Sequence, residues 1–367
     1  TNTTLREISD LFIIFFRRNW LMLLLVIFLE ICGVLTLYSA SGGDIEPWAK
    51  NHIIRFSIIL FFTIFISVIN TKLWKKVSYI VYFIGLSLLI AVEFFGSDMA
   101  GAKRWIDLGF FHIQPSEIMK ISLIFALSRY YAEFGDIRSY WFRAIIIPIL
   151  LISAPLFLVI IQPDLGTALL ILFSSISIII VSGLSYWLIF GGGILALFSF
   201  PFIWSMLHNY QKERVLTFLH PERDPLGSGY HIIQSKIAIG SGGFWGKGFL
   251  NGSQSQLDFI PEIHTDFVFS IFSEEFGFFG SFLIIFAFIL IIFNGLYVSI
   301  KSKNQFDKLL VFGLTFTLFL YCFANIAMVM GLIPVVGVPL PLISYGGSAM
   351  LTMMLSLGFI MNINTYR

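Results

Sequence analysis

Apolar and polar residues fall in long blocks along this chain. A membrane-crossing helix needs about 20 mostly apolar residues. Ten runs approach that length: 20–39, 53–69, 76–95, 114–131, 144–161, 164–182, 185–206, 266–297, 308–330 and 340–363. Several connections between them are very short, which predicts antiparallel helical hairpins. One long polar interval, about 207–265, separates the seventh run from the eighth. Pro221, Pro225 and the glycines between Gly227 and Gly252 exclude a single continuous helix there. Apolar turns such as Ile232 to Ile239 predict helical pieces inside the interval. A connection of this length is a lid, a binding loop or disordered, and its aromatic and apolar content argues against disorder. The expected fold is an all-α polytopic membrane protein. It has ten transmembrane helices and a large, partly ordered extracytoplasmic loop between the seventh and eighth, in one domain over residues 1–367.

Composition agrees: 57% of residues are hydrophobic and 12% charged, against about 25% charged in soluble domains. Mean hydropathy is +0.90. A net charge of +2 without any basic block offers nucleic acid no partner surface. Cys32 and Cys322 both lie in apolar runs and read as buried small hydrophobes, with no disulfide framework and no metal-ligand spacing. No cleavable signal pattern precedes the first run, so it is expected to remain as a span. Alternate connections hold Arg6, Arg17, Arg18, Lys72, Lys75, Lys76, Arg129, Arg138, Arg143, Lys301, Lys303, Lys308 and Arg367. The opposite short connections hold only Lys50, Arg55, Lys103 and Arg104. The positive-inside rule therefore places both termini in the cytoplasm and the 207–265 interval outside. No internal repeat of the inverted-transporter type is visible.

Polar residues inside apolar runs are costly and mark candidate sites. Glu30 lies alone in the middle of the first run, either a protonated packing group or a site residue. Lys103, Arg104 and Trp105 precede the fourth run, and Pro115 suits the first turn of its helix. Glu117 and Lys120 are three apart and share a face, with Gln114 on the same row. They form either an internal ion pair or part of an anion site, for which the Arg104 guanidinium is suited by its fork of donors. Gln162, Pro163 and Asp164 form a tight turn, with Asp164 either an N-cap or a site carboxylate. Thr265 or Asp266 is expected to begin the eighth helix, where Asp266 either caps or reacts. Ser270, Ser273 and Gly277 continue its face, and Glu274 and Glu275 follow deeper, as anchors to other helices. Pro334, Pro339 and Pro341 make a rigid hairpin before Ser344, Tyr345, Gly346, Gly347 and Ser348, where the glycines favour close packing and Ser344 is a candidate for a cavity.

Four separated blocks then resemble one family. RW with QPSE and K (104–120), QPDLGT (162–167), IGSGG with GKG and PE-HTDF (239–267), and LP with SYGGS (340–348) are similar to the SEDS proteins of shape, elongation, division and sporulation. The likeness runs over nearly the whole chain, and DPLGSGYH and HTDF look most like the elongation member. The resemblance implies a peptidoglycan glycosyltransferase that polymerises lipid II at the outer face of the bacterial cytoplasmic (inner) membrane. It also implies undecaprenyl pyrophosphate as leaving group, and as partners a class B penicillin-binding protein, which is the transpeptidase, with other elongation-complex proteins. The family's catalytic aspartate falls on Asp266, its Arg-Trp pair on Arg104 and Trp105, and its glutamate and lysine on Glu117 and Lys120. With the residues singled out above, the candidate substrate-binding set is Arg104, Trp105, Gln114, Ser116, Glu117, Lys120, Gln162, Asp164, Lys247, His264, Thr265 and Ser344.

One carboxylate suffices for this chemistry. The acceptor 4-hydroxyl needs a base, whereas pyrophosphate leaves as a stable anion without an acid. The paired carboxylates of glycosidases are therefore unnecessary. Lys103, Arg104, Lys120 and Lys247 are the candidate cations for the departing charge. A divalent cation such as Mg²⁺ is an open option with no ligand cluster to identify it. Two other readings stay open: a flippase for the lipid-linked precursor, using Glu30, Glu117 and Lys120, or a noncatalytic scaffold. The scaffold would dock a transpeptidase span on the Phe-rich faces of 266–297 and 308–330.

Overall fold

A computed structural model describes residues 2–99, 102–107, 109, 112–134, 141–184, 186–207, 209–220, 227–253 and 264–367. In chain order the elements are α1 (Asn2–Ala40), α2 (Trp48–Ser67), α3 (Thr71–Phe95), β1 (Ser97–Met99), β2 (Ala102–Asp107), β3 (His112–Ile113), α4 (Pro115–Glu133), α5 (Trp141–Ile161), α6 (Leu165–Val181) and α7 (Tyr186–Met206). They continue with α8 (Asn209–Leu219), α9 (Ser228–Ser241), α10 (Val268–Lys301), α11 (Gln305–Val329) and α12 (Gly347–Tyr366). Among the described residues seven helices are long and apolar enough to cross a membrane: Asp10–Ala40, Trp48–Ser67, Thr71–Phe95, Phe142–Ile161, Val268–Lys301, Gln305–Val329 and Gly347–Tyr366.

The other three predicted runs also form helices, of a different character. α4 sits at the centre, packed by α3, α5, α6 and α11, and is buried almost all round. It faces protein rather than lipid, so it tolerates Glu117 and Lys120 in its interior. α6 has 17 residues, and α7 has Pro201 in its interior. Exposed Phe61, Phe83, Phe157, Phe282 and Phe293 lie on the outside of the bundle, as expected where lipid replaces water.

Four expectations change. The protein is not purely helical: β1, β2 and β3 form a small antiparallel sheet in the order β1-β2-β3. Its alternating AKRWID strand is too short and polar to register among apolar runs. The run from 266 becomes a helix only at Val268, with residues 264–267 in turns and Phe267 as an N-cap without a side-chain bond. The run from 340 becomes helical only at Gly347. Pro341 disfavours helical geometry in the residue before it, and Leu342 takes a left-handed φ of 64°. Gly346 is not a site of close backbone packing, since a Cβ there would meet nothing nearer than 3.9 Å. Close approach falls instead on Gly33 and Gly358.

Within the long polar interval, the apolar turns predicted at Ile232 to Ile239 lie inside α9. Pro221, Pro225, Pro261 and Glu262 lie outside the described residues. After α9 the glycine-rich chain docks into a break in α10. Gly277 adopts φ 65° and ψ −162°, which interrupts that helix. The groups freed by the break find partners in the docked segment. Lys247 and Gly248 N–H donate to the Glu274 and Glu275 carbonyls, both at 3.0 Å. Phe278 and Phe279 N–H donate to the Gly243 and Phe244 carbonyls at 2.9 and 3.1 Å. A broken helix at membrane depth survives only when its backbone groups are re-satisfied in this way. Glycine is required on both sides: a Cβ on Gly277 would lie 2.3 Å from Gly246 N, and one on Gly246 would lie 2.0 Å from the Glu275 carbonyl oxygen.

Candidate functional site

The predicted site residues gather at the loop-rich end of the bundle, in three linked groups. The first surrounds the turn between α5 and α6. Asp164 caps α6, accepting from Thr167 N–H at 3.2 Å and Thr167 Oγ1 at 2.9 Å. Its other contact is Gln114, whose Nε2 donates to Asp164 Oδ2 at 3.0 Å. Arg104, on β2, donates from Nε to the Gln162 carbonyl at 3.0 Å and from Nη2 to the Pro163 carbonyl. Gln162 turns inward and donates to the Leu89 carbonyl of α3 at 3.0 Å. Arg104 thus clamps the turn, and its fork of five N–H groups keeps three beyond these two bonds. Trp105 is half-buried beside it on β2, with its carbonyl accepting from Ser97 Oγ at 3.2 Å. Lys103 is exposed.

The second group lies beneath, between α4 and α11. Lys120 Nζ donates to Glu117 Oε1 at 2.6 Å and also contacts Tyr321 Oη. Tyr321 Oη donates to the Glu117 carboxylate at 2.7 Å. All three side chains are almost wholly buried, and so is Ser116 at the start of α4. The triad closes on itself, which is the condition for an ion pair to be tolerated without water. Four residues on from Tyr321, Asn325 occupies the same face of α11. Its Nδ2 donates to the Asp266 carbonyl at 2.8 Å and the Val338 carbonyl at 2.7 Å. Tyr321 and Asn325 were not singled out from sequence. The available signal was two polar side chains at i, i+4 spacing in an otherwise apolar run.

The third group holds Asp266. It precedes α10, half-buried with His264 and Thr265. A Cβ added to Gly337 would lie 3.5 Å from Asp266 Oδ2, which places the carboxylate against the 335–338 loop. The same loop touches α6, since a Cβ on Gly166 would meet the Val336 carbonyl at 2.7 Å. Asp266 is therefore linked through this loop to the Asp164 turn, and through Asn325 to the buried triad. His264 stacks on Trp48 with ring centroids 4.5 Å apart, and its carbonyl accepts from Tyr345 N–H at 2.8 Å. Ser344 is buried, and its Oγ accepts from Leu340 N–H at 2.8 Å, closing the turn before α12.

Lys247 lies in the segment docked at the α10 break. Its Nζ pairs with the fully buried Glu274 at 2.6 Å, and Ser253 donates to the same oxygen from N at 3.0 Å and Oγ at 2.9 Å. Glu275 accepts from Ser39 of α1. Glu275 therefore anchors to another helix, as expected, whereas Glu274 anchors the segment that follows α9. Glu30, alone in the sequence, is not alone in the fold: His52 Nε2 of α2 lies 3.2 Å from its Oε2. Cys32 and Cys322 are buried free thiols. Among the described residues no three His, Cys, Asp or Glu side chains converge as metal ligands. Mg²⁺ beside substrate phosphate needs only one or two carboxylates from a protein.

Three comparisons bear on this arrangement. The family model of FtsW, RodA and SpoVE, described as a cell cycle protein, matches residues 19–367. The chain is 43% identical over 347 residues to the peptidoglycan glycosyltransferase MrdB of Escherichia coli K12, covering 94% of this chain and 93% of that one. It is 33% identical over 355 residues to a probable peptidoglycan glycosyltransferase FtsW of Trichlorobacter lovleyi, covering 94% and 92%. Among solved structures, it resembles a chain from a peptidoglycan synthase complex that coordinates polymerization and crosslinking. That match has a TM-score of 0.80 at 31% identity and covers 94% and 97% of the two chains. It also resembles the rod shape determining protein RodA of Thermus thermophilus, with a TM-score of 0.71 at 25% identity, covering 94% and 96%.

Proposed function

The chain belongs to the FtsW, RodA and SpoVE (SEDS) family and is a peptidoglycan glycosyltransferase; on that premise we propose that Asp266 is its general base and lipid II its substrate. Asp266 takes the proton of the acceptor 4-hydroxyl. The freed oxygen attacks the anomeric carbon of the donor sugar, and the bond from that carbon to undecaprenyl pyrophosphate breaks, the pyrophosphate leaving as an anion. Base catalysis of this kind is worth about 10²–10⁴-fold. The observation that carries the reading is the placement of Asp266: a half-buried carboxylate just before α10, its backbone held by Asn325 and its side chain beside Gly337.

The proposal divides the predicted cations. Lys103 and the remaining N–H groups of Arg104 have capacity for pyrophosphate oxygens. Lys120 and Lys247 are already held by Glu117 and Glu274, so they set the site's shape and field rather than grip the leaving group. A divalent cation would share that charge. The rest of the binding set, Trp105, Gln114, Ser116, Glu117, Gln162, Asp164, His264, Thr265 and Ser344, lines or frames the same end. The precursor-transporter alternative draws little support from the bundle interior, where Glu117, Lys120 and Tyr321 satisfy one another.

In this proposal all ten predicted runs cross the cytoplasmic membrane as one domain. The termini lie in the cytoplasm, and the 207–265 interval covers the site from outside. A class B penicillin-binding protein docks its span against the Phe-rich faces of α10 and α11, within a larger elongation complex surrounded by membrane lipid. The deciding experiment incubates the purified protein and its transpeptidase partner with lipid II in detergent, with penicillin present. Wild-type protein is expected to make polymer and Asp266→Asn none, with the variant still folded and partner-bound. Equal polymer from both removes Asp266 as the base. Labelling of a tag at Ser253, but not at either terminus, by an impermeant reagent checks the orientation.

A further inference from the structure

The start of α2 carries three residues that the proposed chemistry leaves unused. Trp48, His52 and Arg55 follow one another at spacings of four and three, which puts them on one helical face. All three touch one small unit, the turn at 340–345 and the His264 segment bound to it. The Trp48 ring lies 8° from parallel to His264 at 4.5 Å. His52 Nε2 is 3.2 Å from the Leu342 carbonyl oxygen. The Arg55 guanidinium sits over the Tyr345 ring, 4.7 Å from its centroid. Tyr345 in turn holds His264 twice, by its N–H on the His264 carbonyl and by ring-edge contact at 6.1 Å.

The turn needs external support. Leu342 is one of two non-glycine residues with positive φ among the described residues. Such a conformation persists only where the surroundings over-determine it. Ile343 and Ser344 N–H donate to the Leu340 carbonyl within the turn. The contact at the Leu342 carbonyl itself comes from His52, which is 1% exposed. α2 is pinned at its other end. Asn362 of α12 donates to the Ile66 and Ser67 carbonyls at 3.1 and 2.9 Å, and Ser67 Oγ donates to the Gly358 carbonyl at 3.1 Å. A helix fixed at one end transmits that position to whatever it holds at the other.

We infer that this face of α2 is a splint for the His264–Asp266 segment, with Trp48 and His52 as positioning residues. The inference rests on Asp266 being the base. The splint touches no reacting atom. It fixes the plane of His264 between Trp48 and Tyr345, and so fixes the backbone two residues before the carboxylate. A displacement of about 1 Å at a reacting group costs up to 10²-fold, so the effect falls on kcat and not on the KM for lipid II.

The test compares graded variants in the lipid II polymerisation assay, each with its melting temperature. His52→Leu and Trp48→Leu are expected to lose about ten- to a hundredfold in kcat, with KM within about twofold of wild type. His52→Gln keeps a side-chain N–H for Leu342, and Trp48→Phe keeps a ring for His264, so each recovers most of the loss. Ser67→Ala perturbs the same helix at its pinned end and is expected to lower the melting temperature without lowering kcat. His52→Leu also strips buried Glu30 of its partner, since the same Nε2 lies 3.2 Å from Glu30 Oε2, so the two Trp48 variants decide. Wild-type kcat in folded Trp48→Leu overturns the splint, as does a kcat loss in Ser67→Ala equal to that of the splint variants at matched melting temperature. Asp266→Asn runs alongside: activity in that variant sinks the base assignment, whereas unaltered kcat in the splint variants sinks only the positioning role.

Discussion

The two halves of α10 obey different rules. From Phe282 to Lys301 the helix is unbroken, and Phe282, Phe286 and Phe293 face outward. Phe278, Phe282 and Phe286 stack in a ladder with centroids 6.3 and 5.8 Å apart. Towards Asp266 the same helix breaks at Gly277 and buries Glu274, Glu275, Ser270 and Ser273. The difference lies in what each half meets. Lipid offers no hydrogen bonds, so the outward-facing half must satisfy its backbone internally. The other half meets α9 and the glycine-rich segment after it. Ser235 of α9 contacts Ser270 at 2.6 Å, and residues 243–248 supply partners for the broken turn. Polar chemistry is affordable only on that side, and Asp266 lies at its end.

The sharpest break of this contrast is Asp266→Asn. It is expected to lower polymerisation by about 10²–10⁴-fold while the melting temperature stays near wild type, read by gel assay and thermal unfolding of the same preparation. Next comes Lys120→Met, which leaves Glu117 buried without its cation. Removing one partner of such a pair costs about 3–5 kcal/mol, so a large fall in melting temperature or in folded yield is expected. An unchanged melting temperature would show that the triad contributes nothing to folding.

Gly277→Ala attacks the break itself. The new methyl would stand 2.3 Å from Gly246 N, at φ 65° and ψ −162°, a backbone region essentially reserved for glycine that costs an L-residue about 1–3 kcal/mol, with overpacking adding about 1–3. Loss of both stability and activity is expected, whereas a neutral outcome would mean that the docked segment moves aside freely. Arg104→Ala removes two charged hydrogen bonds from the α5–α6 turn, each worth about 1.5–3 kcal/mol at most. Arg104→Lys, which cannot reproduce the fork, is expected to recover little. The smallest effect belongs to Phe282→Ala in the regular half. Without its partner protein it should change stability by no more than about 0.5 kcal/mol, and a measured loss of partner binding would place the docking face there.

Several features were legible without coordinates because they are local. The apolar runs announced their helices, since twenty residues without charge have few other fates in a membrane protein. Asp164 was recognisable as a cap from its position before LGTALL, and it does accept from Thr167. Glu117 and Lys120 were recognisable as a pair because a helix places i and i+3 together. The start of α10 at Val268 and of α12 at Gly347 were misjudged by two and seven residues, because composition alone continues an apolar run through a turn.

What only the tertiary structure decided is who completes each polar group. Tyr321 closes the Glu117–Lys120 pair across 204 residues of sequence. His52 meets Glu30, Asn325 holds Asp266, and Trp48 stacks on His264. None of these partners shares a helical turn with the group it serves, so no periodicity could announce them. By itself the sequence determined that this chain is a membrane bundle with a polar interval, a candidate carboxylate and scattered costly charges. Burial in a medium without water then forces each of those charges to find a partner, and only the packing of distant helices determines which partner is within reach.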